Sequence, residues 1–123
     1  MIVLVVDDNA DAAETLAMYI QMLGHEAHAT THSTEVVNMA SALHPDVILL
    51  DLGMPKPDGY DIAREIRART WGQSITLIAL SGRGEEADKQ RSRDAGFNDH
   101  LVKSKDFAVI DKIFAKGQST EKP

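Results

Sequence analysis

The 123-residue chain predicts a single α/β domain, a five-stranded parallel sheet with helices on both faces. Three observations carry this expectation. Ile2-Val3-Leu4-Val5-Val6 and Val47-Ile48-Leu49-Leu50 are short, wholly apolar runs, as strands buried on both faces are. Each run ends in carboxylates, Asp7-Asp8 after the first and Asp51 after the second. Stretches of helical spacing separate the apolar runs along the whole chain, and its length suits one domain with a core rather than two.

The elements follow in order. After the first strand, Asn9 to Leu23 reads as a helix, with Leu16, Ile20 and Leu23 on one face and Gly24 as its stop. A short strand from about Ala27 to Thr30 leads to a helix from about Thr34 to Leu43, whose inner face is Val36, Val37, Ala40 and Leu43. The strand that ends at Leu50 precedes the turn-rich Gly53-Met54-Pro55-Lys56-Pro57-Asp58-Gly59. The third helix, about Tyr60 to Arg69, buries Ile62 and Ile66. Strand four is Ile75 to Leu80, helix four about Glu85 to Ala95, strand five His100 to Val102, and helix five about Asp106 to Ala115. Residues 1–116 form the expected domain, and 117–123 are a polar, frayed tail. Helix four offers only alanines to the core, which anchors it less by roughly 1 kcal/mol per position, so it is expected to be the loosest element.

Composition narrows the function. A hydrophobic share of 43% suits a soluble globular protein, and the N-terminal apolar run is broken by Asp7 too early for a signal peptide or a membrane span. With no cysteine there is neither a disulfide framework nor a thiolate metal site, which agrees with a cytoplasmic protein. A formal net charge of −6 argues against direct nucleic-acid binding. His25, His28, His32 and His44 lack metal-ligand spacing and are expected at the surface, and Trp71 reads as a packing residue.

In an open α/β sheet the functional crevice lies outside the carboxyl ends of the strands. Asp7 and Asp8, Asp51, Ser81 and Lys103 follow strands one, three, four and five, so all of them reach that one edge. Each alone has an ordinary use: helix cap, turn former, loop cap and solvated lysine. Four separate accidents at the same edge are a poor explanation. Three carboxylates at one mouth repel unless a cation joins them, and Mg²⁺ suits oxygen ligands while leaving room for phosphate and water. A carboxylate is already ionised at neutral pH and needs no base to attack phosphorus. Phosphoryl transfer then asks mainly for positioning and for positive charge, which the metal and Lys103 supply, while Ser81 offers a neutral donor.

These residues resemble the receiver domains of two-component response regulators. The resemblance covers nearly the whole chain and rests on Asp7-Asp8, Asp51 through Gly59, Ser81-Gly82 and Lys103, with Ser81 and Lys103 standing 30 and 52 residues after Asp51. It implies a flavodoxin-like, doubly wound sheet of order 2-1-3-4-5 with five helices. It implies Asp51 as phosphoacceptor, and Mg²⁺ held by Asp8, Asp51 and the Gly53 backbone carbonyl, with Asp7 acting through water. Ser81 and Lys103 then meet the phosphoryl group, and His100 takes the place usually held by a switch Tyr or Phe, a core histidine being the plainer reading. The implied donor is a histidine kinase or histidine phosphotransfer protein, the target another protein, and a weak homodimer is left open. Such a domain catalyses only its own phosphorylation and dephosphorylation and is not otherwise an enzyme.

Lys103 is followed by Ser104 where the family usually has proline, often cis. A non-proline cis bond costs about 3 kcal/mol, so that loop is either trans and reshaped or strained. The start and end of helix four, Ser81-Gly82-Arg83-Gly84-Glu85-Glu86 and Asp94-Ala95-Gly96-Phe97, are similar to receivers of hybrid sensor kinases. Three competitors remain. A flavin carrier of flavodoxin type is opposed by Asp7-Asp8, which would repel a nucleotide phosphate. A haloacid-type phosphatase needs more chain, and a degenerate scaffold receiver would not need the full acid, hydroxyl and lysine set.

Overall fold

The computed structural model describes residues 1–55, 57–82, 86–102 and 111 of the chain. In it β1 (Ile2–Val6), β2 (Glu26–Thr30), β3 (Val47–Asp51), β4 (Thr76–Ser81) and β5 (Asp99–Val102) form one parallel sheet, ordered β2-β1-β3-β4-β5. That is the expected order. Four α-helices are found among the described residues: α1 (Ala10–Met22), α2 (Val36–Leu43), α3 (Gly59–Arg67) and α4 (Glu86–Ala95). The expected fifth helix lies outside the described residues except for Asp111, which is helical and accepts a hydrogen bond from the Tyr19 hydroxyl of α1. The tail 117–123 also lies outside them.

Side chains alternate across each strand, so the apolar runs build two cores. Val3, Val5, Val47, Leu49, Ile78 and Leu80 meet Ala13, Ala17 and Ile20 of α1. Leu4, Val6, Ile48, Leu50, Leu77 and Ala79 face the other way, against Val36, Ala40, Ile62, Ile66 and Ala95 of α2, α3 and α4. Leu4, Ile48, Leu49, Leu50 and Leu77 are fully buried, each worth about 1.5–3 kcal/mol of burial. Trp71 packs at the margin of the second core, as expected.

Local chemistry sets the ends of the helices. The Asn9 side chain caps α1 by accepting from the Ala12 amide at 3.1 Å, so neither Asp7 nor Asp8 has that duty. Asp58 and Asp61 form a reciprocal capping box that starts α3 directly after the site loop. The predicted second helix begins instead as a 3₁₀ turn at Ser33–Glu35 and ends at His44, a non-glycine residue in the left-handed region at φ 49°. His25 is buried, contrary to the expectation of a surface position, because β2 lies against α1 and the ring is covered beside the N-terminal amine.

Arg67, at the last turn of α3, braces the amino-terminal edge of the sheet. Its guanidinium donates to the backbone carbonyls of Gly72, Gln73, Ile75 and Gly96 and to Oδ1 of Asn98, at distances from 2.6 to 3.2 Å. Asn98 Oδ1 also accepts from the Leu77 amide at 2.8 Å, so one side chain ties α3 to β4 and to the loop before β5. Burial lowers the basicity of Arg67 from the usual arginine range, a desolvation cost that the hydrogen bonds offset. Gly96, at φ 110°, leaves room for this arm: a Cβ there would stand 2.7 Å from Arg67 Cγ. Replacing Arg67 by Leu should cost roughly 2–3 kcal/mol in urea unfolding with an unchanged slope, since carbonyls would lose their donor. Arg67→Lys should recover less than half, because one ammonium cannot reach so dispersed a set of acceptors.

Candidate functional site

The register of β1 on β3 pairs Val6 with Leu50, which brings the next residues of both strands to the same mouth. There one carboxylate oxygen from each of Asp7, Asp8 and Asp51 lies within 4.8 Å of the others. Asp7 and Asp51 are buried, and Asp8 is exposed. Asp51 Oδ1 accepts from the Gly53 amide at 2.9 Å, and Asp7 Oδ1 accepts from the Asn9 amide at 3.0 Å. The backbone holds both in place as well: the Asp7 amide bonds the Thr30 carbonyl, and the Leu52 amide bonds the Leu80 carbonyl. Three hard oxygen donors of this kind, gathered without thiol or imidazole, fit a small divalent cation such as Mg²⁺.

The close approach of α3 sets the path of the site loop. A Cβ on Gly59 would come within 2.8 Å of Leu52 Cδ2 and 3.2 Å of the Asp51 carbonyl oxygen. A side chain there would require Leu52 to turn aside and the Asp51 carbonyl to give by a few tenths of an ångström, so glycine suits the capped start of α3 this near Asp51.

Ser81 closes β4 one residue beyond Leu80, the register partner of Asp51, and so stands at the same edge. Its hydroxyl lies 2.7 Å from Nε2 of His100 on β5. The other ring nitrogen, Nδ1, lies 2.9 Å from the hydroxyl of Ser92 on α4, which is 1% exposed. The half-buried His100 thus bridges the site edge and the helix. Lys103 and Ser104 lie outside the described residues.

Ser92 was not among the residues singled out above, and the expectation that α4 offers only alanines to the core is corrected by it. Its signal was its place three residues before Ala95, on the same helical face. Polar and aromatic contacts add to the anchoring of α4: the Arg91 guanidinium lies 4.1 Å over the Tyr60 ring, which in turn meets Phe97 edge-on. No helix among the described residues is long and apolar enough to cross a membrane.

A 2-1-3-4-5 sheet with an aspartate trio at its carboxyl edge is a receiver-type architecture. The family model for the response regulator receiver domain matches residues 3–115, and the chain belongs to that family. Among relatives, the transcriptional regulatory protein ResD of Bacillus subtilis is 34% identical over 82% of this chain and 41% of its own. The chain therefore spans about two fifths of the length of such curated regulators. The receiver domain of the sensor histidine kinase PA1611 from Pseudomonas aeruginosa is similar in structure, with TM-score 0.83, 30% identity and 94% of each chain covered. That structure holds a magnesium ion coordinated in its active-site cleft. TrrA of Thermotoga maritima, in complex with Mg(2+)-BeF, matches with TM-score 0.81 and 26% identity over 94% of this chain and 96% of its own.

The clustered carboxylates carry a stability signature of their own. In chelator, Asp8→Asn should raise unfolding stability by about 0.5–1 kcal/mol, because it removes one charge from the trio at a solvent-screened position. The gain should shrink or reverse when millimolar Mg²⁺ is added, and equal stabilities of wild type and variant in chelator would contradict the repulsion.

Proposed function

We infer that the chain is a phosphoacceptor of a two-component phosphorelay, accepting a phosphoryl group on Asp51 from a phosphohistidine of a histidine kinase or histidine phosphotransfer protein. The observation that carries this reading is the buried Asp51 carboxylate, its oxygen within 4.8 Å of oxygens from Asp7 and Asp8 at the mouth of the sheet. The magnesium ion in the active-site cleft of the PA1611 receiver, at 30% identity, and the Mg(2+)-BeF complex of TrrA support it.

In the reaction an Asp51 oxygen forms a bond to phosphorus as the phosphorus–nitrogen bond of the donor breaks. The donor imidazole keeps the bonding pair and takes up a proton, leaving an acyl phosphate on Asp51. The Gly53 amide fixes the rotamer of the nucleophile by holding Oδ1. Asp8, Asp51 and the Gly53 carbonyl are the residues for Mg²⁺, with Asp7 acting through water. Bound there, the cation offsets the charge of the phosphoryl oxygens. Ser81 donates its hydroxyl to a phosphoryl oxygen, and Lys103 pairs with another.

The chain modifies itself and turns over no separate substrate. Its output passes to a protein partner through the face built from α4 and β5. Helix α4, which buries an alanine and a serine, is the element this change reaches first. A cytoplasmic setting follows from such a donor.

Incubation with acetyl phosphate and Mg²⁺ should add one phosphoryl mass, and Asp51→Asn should abolish it in intact-mass spectra. Stoichiometric labelling of the Asn variant at another residue would sink the assignment. Mg²⁺ titrations read by amide NMR should show Asp8→Ala weakening binding more than Asp7→Ala. Trp71 is a poor reporter for this, since it precedes β4 at the opposite edge of the sheet. Equal affinity in wild type and Asp8→Ala would refute the ligand assignment.

A further inference from the structure

Ser81, His100 and Ser92 form a hydrogen-bonded chain with a direction. A neutral imidazole carries one N–H and one lone pair, while each serine hydroxyl can donate or accept. Two orders satisfy the distances of 2.7 Å to Nε2 and 2.9 Å to Nδ1. In one, Ser81 donates to Nε2 and Nδ1–H donates to Ser92. In the other, Ser92 donates to Nδ1 and Nε2–H donates to Ser81, whose own proton then points onward. Among neutral forms, reversing one bond reverses the other.

A phosphoryl group on Asp51 has oxygens that only accept. If the Ser81 proton goes to such an oxygen, Ser81 can keep its contact with His100 only as an acceptor. The geometry points to His100 as a tautomeric relay: phosphorylation of Asp51 selects its Nε2–H form and thereby turns the buried hydroxyl of Ser92 on α4 from acceptor to donor. The relay rests on the phosphoacceptor reading above. Both His100 and Ser92 are positioning residues, since neither touches the reacting atoms. Proton number is conserved, because the ring yields one proton to water from Nδ1 and takes one from water at Nε2. A cavity of about 150 Å³ between α4 and β5 is lined by both residues and brings water to that side of the ring. Ser92 is 1% exposed, so its hydroxyl must find a partner in either state, and a message can reach α4 with little movement of heavy atoms.

Imidazole ¹⁵N NMR of the whole chain, with and without Mg²⁺ and beryllofluoride, tests the relay. Lys89, Arg93 and Asp99 line the same cavity, so all spectra are taken at one alkaline pH that keeps the ring neutral. The Nε2–H population of His100 should rise on binding and dominate the complex. An Nδ1–H ring in the complex, or an unchanged tautomer ratio, overturns the relay. A bound ¹⁹F signal must accompany the change; its absence overturns the phosphoacceptor reading and the relay with it. Ser92→Ala, which removes the partner of Nδ1 in both orders, should change beryllofluoride affinity by less than about twofold while His100 still turns to its Nε2–H form on binding. An Nδ1–H ring in beryllofluoride-bound Ser92→Ala also overturns the relay, and the wild-type ring spectra decide the matter if that variant does not fold.

Discussion

Parallel pairing of β1 with β3 matches Val6 to Leu50, so Asp7 and Asp51 leave the sheet side by side. Sliding either strand by one residue would turn its core-facing side chains to the opposite face, and both faces of these strands are packed. The apolar alternation that builds two cores is therefore also what fixes the spacing of the carboxylates. Stability and chemistry share one register, and the sheet holds together a cluster of like charges that would otherwise separate.

The two edges of the sheet are built on different principles. At the amino-terminal edge, Arg67 satisfies carbonyls from two segments and so gathers α3, the approach to β4 and the turn after α4 into one assembly. At the carboxyl edge the contacts are carboxylates, hydroxyls and an imidazole, all of which can exchange partners. Helix α4 runs between them: its end is fixed by Gly96 against Arg67, while Ser92 along its length bonds to His100. A helix pinned at one end and held by an exchangeable bond nearby suits a part that must adjust without detaching.

Much of this was legible in the sequence. The central strands β1, β3 and β4 were plain because parallel strands covered on both faces need apolar runs, and the acid trio was plain because its members end two of those runs. Ser81 was legible as a member of that edge and His100 as a switch position implied by the family resemblance, although the bond between them was not. Ser92 was hidden because a serine in a highly polar helix leaves no periodic apolar mark. Arg67 was hidden for a related reason: its acceptors are backbone carbonyls, which any sequence supplies. The burial of His25 depends on how α1 and β2 pack, which local pattern does not encode.

His44 ends α2 in a left-handed conformation that costs an L-residue with a side chain of the order of 1 kcal/mol, and Pro45 follows it. Glycine adopts that conformation freely. The chain thus keeps unused thermodynamic headroom at an exposed corner on the far side of the sheet from the carboxylates. A His44→Gly background would tolerate mutational losses elsewhere that the natural chain would not, which makes this corner a lever for engineering the domain without touching its chemistry.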